Sequence, residues 1–468
     1  MTRAENPMGT KPVFPLLMTM SVPAMVSMLI QSLYNIVDSL FVGRLSQEAL
    51  TAVSIVFPLQ NLVLAVAVGL GVGVNANIAR SLGEKRQEDA DQAASHGLFL
   101  TFFHITGFVV LGILGSSWFV GLFTDSPEIL QMGSQYSHIV ICLSGASLIH
   151  ILIEKIFQAT GKMLAPMLFQ IVGAGVNIIL DPILIFGLLG FPSLGVKGAA
   201  IATIIGQCCA CGLAVLFYRK KNCGVHIKVK DFHWDRQVVR KLYSVGIPSC
   251  MVMSMPSLLV GLLNGILAGV SQLAVAVFGI YFKLQTFVYM PVNGLVQGMR
   301  PIISYNFGAE HYGRMKKTLH CSLTVTATIM AVGTILFLLG AEWILLMFGG
   351  SQEMLDIGIS ALRIICCGFI FSTVGVIIAG AFEALGEGGR SLAVSLLRQM
   401  AIIPPLAFVL VRFTDMGLTG VWITFPIAEV TASAVALVLY RRLWKSKLKN
   451  SLPEEEGCAI INTDLKKE

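Results

Sequence analysis

The chain has 468 residues, of which 55% are hydrophobic and only 13% are charged, and its formal net charge is +7. Soluble domains carry about 25% charged residues, so this composition excludes an ordinary soluble protein. The chain contains no P-loop, HExxH or GxSxG motif. We therefore expect neither ATP hydrolysis nor any other enzymatic activity.

The hydrophobic residues fall in blocks of about 20, which is long enough for a helix to cross a bilayer. These blocks predict an all-α polytopic membrane protein with twelve transmembrane helices. The predicted spans are 15–41, 51–73, 96–114, 137–157, 166–189, 198–217, 242–267, 278–303, 319–340, 358–380, 391–412 and 417–440.

The basic residues are distributed unevenly between the predicted loops. If both termini are cytoplasmic, the cytoplasmic segments hold most of the 33 Lys and Arg residues, and the loop at 219–241 is the richest. Lys and Arg favour the cytoplasmic side, so we expect both termini there. The positive charge then reflects orientation in a lipid bilayer, and we expect no nucleic-acid partner. The ten cysteines show neither a disulfide framework nor metal-ligand spacing, and we expect no cofactor.

The two halves of the chain resemble each other at a constant distance. The fragments beginning at Asn75, Trp118 and Phe157 match those beginning at Arg300, Trp343 and Phe382, each 225 residues later. This predicts two six-helix lobes joined by the basic loop. Six is even, so both lobes start on the same side of the membrane and form a parallel repeat. The interface between the lobes is then the expected transport path.

Polar residues recur at helical spacing within two spans of the first lobe. The first span carries Gln31, Tyr34, Asn35 and Asp38, and the fifth carries Gln170, Asn177 and Asp181. Ionisable groups inside a membrane helix indicate a functional site. Oxygen ligands of this kind could bind Na⁺, or two nearby carboxyls could share a proton, and the sequence favours neither. Pro182 removes a backbone hydrogen bond beside Asp181, which predicts a bend in the fifth helix.

The other ionisable residues in the spans are harder to interpret. Lys155 is expected to extend its ammonium group to the membrane interface. Arg398 is expected to pair with a glutamate and hold two helices together. The eighth span offers further candidates for a cavity lining, namely Lys283, Gln285, Tyr289 and Asn293.

Several motifs, weak singly but specific together, resemble the multidrug and toxic compound extrusion (MATE) family, and its bacterial MepA-like branch most closely. They are NPMGTKPV before the first span, SLYNIVDSLFVGRL within it, NANIARSLGEKR, FQATGKMLAPM, and VNIILDPILIFG followed by GVKGAAIAT. The resemblance covers roughly residues 6–442. It implies a multidrug exporter, associated with antibiotic resistance, that exchanges organic cations for H⁺ or Na⁺ while its two lobes open alternately.

The resemblance also implies an ion-coupling site. In the family this site uses an aspartate on the first helix, an asparagine and an aspartate four apart on the fifth, and a threonine on the sixth. Here these correspond to Asp38, Asn177, Asp181 and Thr203. Some relatives use carboxylates on the seventh and tenth helices, but here the seventh offers only Asn264 and the tenth only Glu383.

The sequence thus predicts a secondary antiporter acting as a monomer in the cytoplasmic (inner) membrane of a bacterium. The alternative is a flippase for a lipid-linked precursor, which would need several cationic residues in its cavity. A receptor or gated channel is a third class, which uphill efflux would exclude. The predicted domains are a cytoplasmic N-terminal segment, a first lobe, a basic linker, a second lobe and a disordered cytoplasmic tail, at 1–14, 15–218, 219–241, 242–440 and 441–468.

Overall fold

The computed structural model describes residues 6–220, 223–230, 232–347 and 352–448, and within them every regular element is a helix. The predicted tail is described only as far as residue 448, so its prediction lies mostly outside the described residues. The helices of the first half are α1 (Pro7–Thr10), α2 (Val13–Leu45), α3 (Gln47–Gly83), α4 (Gln87–Gly121), α5 (Pro127–Cys142), α6 (Gly145–Ala159), α7 (Leu164–Phe186) and α8 (Val196–Lys220).

The helices of the second half are α9 (Arg236–Ala268), α10 (Gln272–Gly308), α11 (Tyr312–Met347), α12 (Gln352–Cys366), α13 (Phe369–Ala384), α14 (Gly388–Leu396), α15 (Ile403–Phe413) and α16 (Gly417–Leu443). By length and composition, ten helical segments of the described chain can each cross a membrane, α14 and α15 forming one of them. The bent pairs α5–α6 and α12–α13 supply two further spans. The prediction of twelve spans in an all-α fold is confirmed.

The internal repeat is visible in the helix boundaries. Helix α3 covers 47–83 and α10 covers 272–308, so both ends are 225 residues apart. Helices α4 and α11 start with the same separation, at 87 and 312. The two six-helix lobes therefore repeat one another along almost their whole length. The domain boundaries drawn from the sequence stay predictions.

The fourth and tenth spans differ from their predicted form, because neither is one continuous helix. The chain bends by 44° between α5 and α6, and by 49° between α12 and α13. At the first bend the Ser144 hydroxyl donates to the Ile141 carbonyl oxygen at 2.8 Å, a local bond that competes with helical pairing. At the second bend, Gly368 lies between the two helices. The bends occupy equivalent places in the two lobes.

The eleventh span contains a wider turn, which the sequence did not predict. Residues Leu397–Ala401 form a π-helical turn between α14 and α15. Pro404 and Pro405 follow it, and a proline cannot donate the backbone bond that the preceding turn would accept. A π turn often occurs at a functional site, since it redirects side chains. Here it carries Arg398 and Gln399.

Each lobe's first helix starts in the core of the other lobe. Leu17 and Met20 of α2 are buried in a second-lobe cluster with Leu295 and Met299 of α10. In the same way, Leu242 of α9 is buried in the first-lobe core. The later halves of α2 and α9 return to their own lobes, α2 packing on α7 and α9 contributing to the second-lobe core. Both helices therefore link the two lobes.

The lobes meet closely on the side where the chain begins. A Cβ added to Gly69 of α3 would lie 2.6 Å from the Gly246 carbonyl oxygen of α9. Gly294 and Gly298 of α10 lie as tightly against Met25 and Ser21 of α2. Near the last turns of α3 and α10, Gly83 contacts the backbone of Tyr305. Small residues allow such close backbone approach, and here they close the molecule on the side of its N-terminus.

Candidate ion-coupling site and substrate cavity

The predicted acidic cluster of the first lobe forms where α2, α7 and α8 meet. Asp38 and Asp181 lie within about two turns of the C-terminal ends of α2 and α7, on the side of the molecule opposite the N-terminus. Their carboxyl groups lie close enough to interact directly. Asp181 is 0% exposed and Asn177 is 2% exposed, whereas Asp38 is half-buried.

Asn177 connects the other members of the cluster. Its side-chain Nδ2 donates to Asp181 Oδ1 at 3.3 Å and to Thr203 Oγ1 at 3.4 Å. The four-residue spacing places Asn177 one turn from Asp181 on the same face of α7. The structure thus brings together all four residues that the resemblance implied, and their role stays a prediction.

Close packing of α7 and α8 places Thr203 at the cluster. A Cβ on Gly206 of α8 would lie 2.7 Å from the Gly173 carbonyl oxygen of α7. Gly198, one turn and a half before Thr203, lies against the backbone of Leu184 in the same way. Larger residues at these positions would separate the helices and move the Thr203 hydroxyl away from Asn177.

Three buried oxygen atoms of the cluster have no hydrogen-bond partner among the described residues. They are Asp38 Oδ1, Asn177 Oδ1 and Asp181 Oδ2. Within the part of the chain that the structure describes, neither Asp38 nor Asp181 forms an ion pair with a basic residue. Buried polar groups normally have partners, and carboxylate, amide and hydroxyl oxygens are ligands for hard cations. The cluster is therefore chemically suited to a proton or a small cation.

Two further residues beside this cluster escaped the sequence analysis. Tyr136 of α5 is 2% exposed and lies near Asp38 and Tyr34, and the Gln60 amide donates to its hydroxyl at 3.3 Å. The segment that contains Tyr136, SQYSHIVIC, mixes polar and apolar residues, and this was the only sign in the sequence of a role for Tyr136. Pro182 lies inside α7, which continues to Phe186, and the predicted bend there stays a prediction.

A cavity of about 490 Å³ lies mainly among the second-lobe helices and reaches Val68, Val72 and Lys155 of the first lobe. We call it the charged cavity. Its apolar wall includes Phe278, Phe282 and Phe425. Of the predicted lining residues, Gln285, Tyr289 and Asn293 line it. The other five do not line this cavity: Lys283 is exposed, and Gln31, Tyr34, Asn35 and Gln170 belong to the first lobe.

Two ion pairs form part of the wall. Arg300 of α10 pairs with Glu383 of α13, so Glu383 is not free to act as the lone carboxylate of the tenth span. Arg398 of the π turn pairs with Glu429 of α16, with Nη1 and Oε1 3.6 Å apart. The predicted Arg398–glutamate pair is thus present, and it joins two helices.

The prediction for Lys155 is wrong. Its side chain is buried at 4% exposure and does not reach the membrane interface. Lys155 Nζ donates to Glu154 Oε1 and to Gln158 Oε1, each at 3.0 Å, and to Gln297 Oε1 of α10 at 3.4 Å. Gly71 lies directly against the Lys155 stem and leaves room for it. A partner set inside the protein therefore replaces the interfacial water that a snorkelling lysine seeks.

Comparison with known proteins decides the family. The sequence profile of the family described as MatE matches residues 23–183 and 248–409, one stretch in each lobe. The chain belongs to the MatE family. The chain is 28% identical over 456 residues to Multidrug export protein MepA of Staphylococcus haemolyticus, and the match covers 96% of each protein. It is 28% identical over 449 residues to the protein of the same name from Staphylococcus aureus, covering 92% of this chain and 94% of that protein.

Solved MATE structures share its fold. An outward-facing multidrug resistance MATE family transporter of the MOP superfamily has a TM-score of 0.87 and 25% identity, covering 94% of this chain and 98% of that chain. A MOP superfamily transporter from Pyrococcus furiosus has a TM-score of 0.88, also at 25% identity, with the same coverage of both chains. The predicted family is confirmed, and this MATE chain is a multi-pass multidrug efflux transporter.

Proposed function

We propose that this MATE protein is a secondary antiporter that exports organic, mostly cationic amphiphiles in exchange for H⁺ or Na⁺. The observation that carries the proposal is the first-lobe cluster, with two carboxyl groups close enough to interact and three buried oxygens that have no hydrogen-bond partner among the described residues. Two like charges this close disfavour each other, so a bound proton or Na⁺ stabilises the pair. A group of this kind gains and loses a cation readily.

Helix α2 supplies the connection between ion binding and lobe movement. Its first half is buried in the second-lobe core at Leu17 and Met20, and its second half carries Asp38 against α7. A cation that draws Asp38 and Asp181 together shifts the later half of α2 relative to its anchored start. Coupling then requires that ion and drug bind the two states with different affinities.

The proposed orientation places both termini in the cytoplasm and the protein, as a monomer, in the inner membrane of a bacterium. In that orientation the close contact between the lobes at Gly69, Gly83 and Gly298 lies on the cytoplasmic side. The acidic cluster lies toward the outer side, where it meets ions entering from outside. Ion entry releases the drug outward, and the lobes then close outside and open inside.

The charged cavity supports an amphiphilic substrate. A volume of about 490 Å³ lies within the range of roughly 300–1,000 Å³ usual for drug-sized ligands. Phe278, Phe282 and Tyr289 offer aromatic faces to an organic cation, and Met253 and Met290 adapt to different shapes. The flippase alternative is less favoured, because Lys155, Arg300 and Arg398 are each paired with a glutamate and leave no excess positive charge for a pyrophosphate.

The test is ethidium efflux from reconstituted vesicles, with a Na⁺ gradient and a pH gradient imposed separately. We expect one gradient to drive uphill efflux and Asp181→Asn to abolish it. Asp125→Asn is the matched control, since Asp125 is exposed in the loop between α4 and α5. Full uphill efflux by the Asp181→Asn protein would reject the site. No efflux under either gradient from correctly inserted wild-type protein would favour the flippase.

A further inference from the structure

We propose that the linker between the two lobes carries a binding surface for the headgroups of anionic phospholipids. We call it the linker surface and define it by Lys228, Lys230, Trp234, Arg236 and Arg240, whose side chains are all exposed. Its partner is the phosphate group of a lipid in the leaflet on the N-terminal side of the protein. The inference goes beyond the proposed antiport, because binding a lipid requires neither an ion gradient nor a transported substrate.

The linker is attached to α4 through its backbone. The backbone N–H of Lys228 donates to Ser95 Oγ, and that of Asp235 donates to His96 Nε2, each at 2.9 Å. Both acceptors are buried side chains of α4. Since backbone groups make these bonds, the basic side chains of the linker are not needed to hold it in place. They remain available to a partner outside the protein.

The positive charge of the linker surface is almost uncompensated. Lys228 Nζ lies 3.9 Å from Asp91 Oδ2, which is a loose ion pair. Lys230, Arg236 and Arg240 form no ion pair within the part of the chain that the structure describes. A guanidinium binds phosphate through two parallel hydrogen bonds, and an ammonium group binds it as a point charge. The surface is therefore chemically complementary to phosphate.

The linker lies at the level where α4 enters the apolar part of the membrane. No Asp, Glu, Lys or Arg follows Asp91 in α4, and residues 97–103 read GLFLTFF. The Phe232 ring of the linker stacks on Phe99 with a centroid distance of 3.8 Å. One turn further along α4, Phe103 is 74% exposed, as a lipid-facing side chain would be. The linker thus rests beside the first apolar turns of a span, which is the depth of the lipid headgroups.

An exposed tryptophan distinguishes a lipid from a soluble anion. Trp234 is 59% exposed, although its ring lies 5.8 Å from His96 and 6.2 Å from Phe232. Val229 beside the two lysines is 58% exposed. Tryptophan is enriched at the boundary between membrane and water, where an apolar ring meets polar headgroups. A free phosphate would leave both apolar side chains in water, whereas a lipid would cover them.

The experiment measures lipid retention by native mass spectrometry on the full-length protein in detergent. Dioleoyl phosphatidylglycerol is compared with dioleoyl phosphatidylcholine, because the two lipids have the same chains and only the first has a net negative charge. Each basic side chain near an anionic lipid surface contributes roughly fivefold in affinity. We therefore expect the wild type to bind phosphatidylglycerol at least about tenfold more tightly than phosphatidylcholine.

The decisive variant is Lys230→Gln with Arg236→Gln, which is expected to fold because both side chains are exposed and unpaired in the described chain. Its preference for phosphatidylglycerol should fall about tenfold. The matched control is Lys316→Gln with Lys317→Gln, which removes the same charge from exposed positions at the start of α11. Lys316 lies 225 residues after Asp91, so the control tests the equivalent place in the second lobe, and it should keep the preference.

A second measurement needs no charge variant. Phosphatidylglycerol and phosphatidylcholine with brominated acyl chains are added to the protein, and quenching of tryptophan fluorescence is recorded. The chain has five tryptophans, so the difference between the wild type and Trp234→Phe gives the signal of Trp234. We expect brominated phosphatidylglycerol to quench Trp234 more strongly than the brominated phosphatidylcholine at the same concentration.

Three results would overturn the inference. The first is equal binding of the two lipids by the wild type. The second is an equal loss of preference in the control variant, which would show a general attraction to positive charge. The third is complete displacement of phosphatidylglycerol by glycerol phosphate, which would show a site for a soluble phosphate. None of these results depends on gradient-driven efflux, so the antiporter proposal is tested separately.

Discussion

The two lobes share one scaffold and carry opposite kinds of polar chemistry. In the first lobe, Asp38, Asn177, Asp181 and Thr203 form an acidic cluster without basic partners in the described chain. The residues 225 positions later are Leu263, Ile402, Leu406 and Ala428, and all four are apolar. Leu263 and Ala428 are fully buried in one core cluster. The second lobe thus has the same helices but carries apolar residues at the positions of the acidic cluster.

The reverse comparison concerns the paired charges. Arg398 and Glu429 of the second lobe correspond to Gly173 and Ile204 of the first. Gly173 there allows α7 and α8 to approach closely, which the acidic cluster requires. An unpaired acid suits a step that binds and releases a cation, whereas a balanced pair suits the recognition of a ligand. The comparison therefore favours the first lobe for the proposed ion coupling and the second lobe, whose paired charges line the cavity, for contact with the ligand.

The largest expected effect separates these assignments. Asp38→Asn should reduce uphill efflux to the level of protein-free vesicles, because the carboxyl pair can no longer take up a cation with the same affinity change. The neutral pair Arg398→Gln with Glu429→Gln should still respond to the imposed gradient. Transport assays on both proteins in matched vesicles check this. If Asp38→Asn keeps its gradient response and the neutral pair loses it, the assignment of the lobes is reversed.

The next effect tests the contact between the lobes at Lys155. Lys155→Met leaves Glu154 without its ammonium partner and removes the bond to Gln297, so stability should fall by about 3–5 kcal/mol. Thermal unfolding in detergent measures the change. Adding Glu154→Gln removes the isolated charge and should restore most of the loss. An equally unstable double variant would show that packing of the lysine stem dominates.

A smaller effect concerns two facing positions that both lobes share. The first lobe has glycine at one of them and the second lobe has glycine at the other. Gly71 makes room for Lys155 in the first lobe, and at the equivalent positions Val296 packs against Gly380. A Cβ on Gly380 would lie 2.7 Å from Val296 Cγ1, so Gly380→Ala should cost about 1–3 kcal/mol. Adding Val296→Ala should recover part of this in the same thermal assay. Gly279→Ala, with open space around the new methyl group, serves as the control.

The smallest effect concerns the threonine hydroxyl of the cluster. Thr203→Val removes the oxygen that accepts from Asn177, and one hydrogen bond contributes about 0.5–1.5 kcal/mol. The ion concentration for half-maximal efflux should rise roughly 2- to 10-fold. Thr431→Val, at an exposed position on α16, should leave it unchanged. An unaltered ion dependence in Thr203→Val would remove Thr203 from the site.

Much of the fold could be predicted because membrane spans depend on local composition. Twelve apolar blocks and a constant offset of 225 residues were enough for the helices and the two lobes. The bends after α5 and α12 and the π turn at Leu397–Ala401 were not predictable in this way. They depend on backbone hydrogen bonds and on neighbouring helices, which apolar composition does not record.

The same difference between local and long-range signals applies to the candidate site. Asp38, Asn177 and Asp181 could be found from helical spacing, since charges in apolar spans are conspicuous, whereas Thr203 needed the resemblance. Tyr136 was missed because it joins the cluster from a separate span. Lys155 has local partners in Glu154 and Gln158, but it also bonds to Gln297 of the second lobe, and no pattern along one helix indicates a contact between lobes.

The exchange of first helices has a consequence for the origin of the molecule. Helix α2 begins in the second-lobe core and α9 begins in the first, so a half-length chain would leave its first helix without its proper surroundings. An ancestor of half the length would therefore have worked as a symmetric dimer, in which the first helix of each subunit packed in the core of the other. Joining two such copies in one chain would keep both exchanged helices within a single molecule.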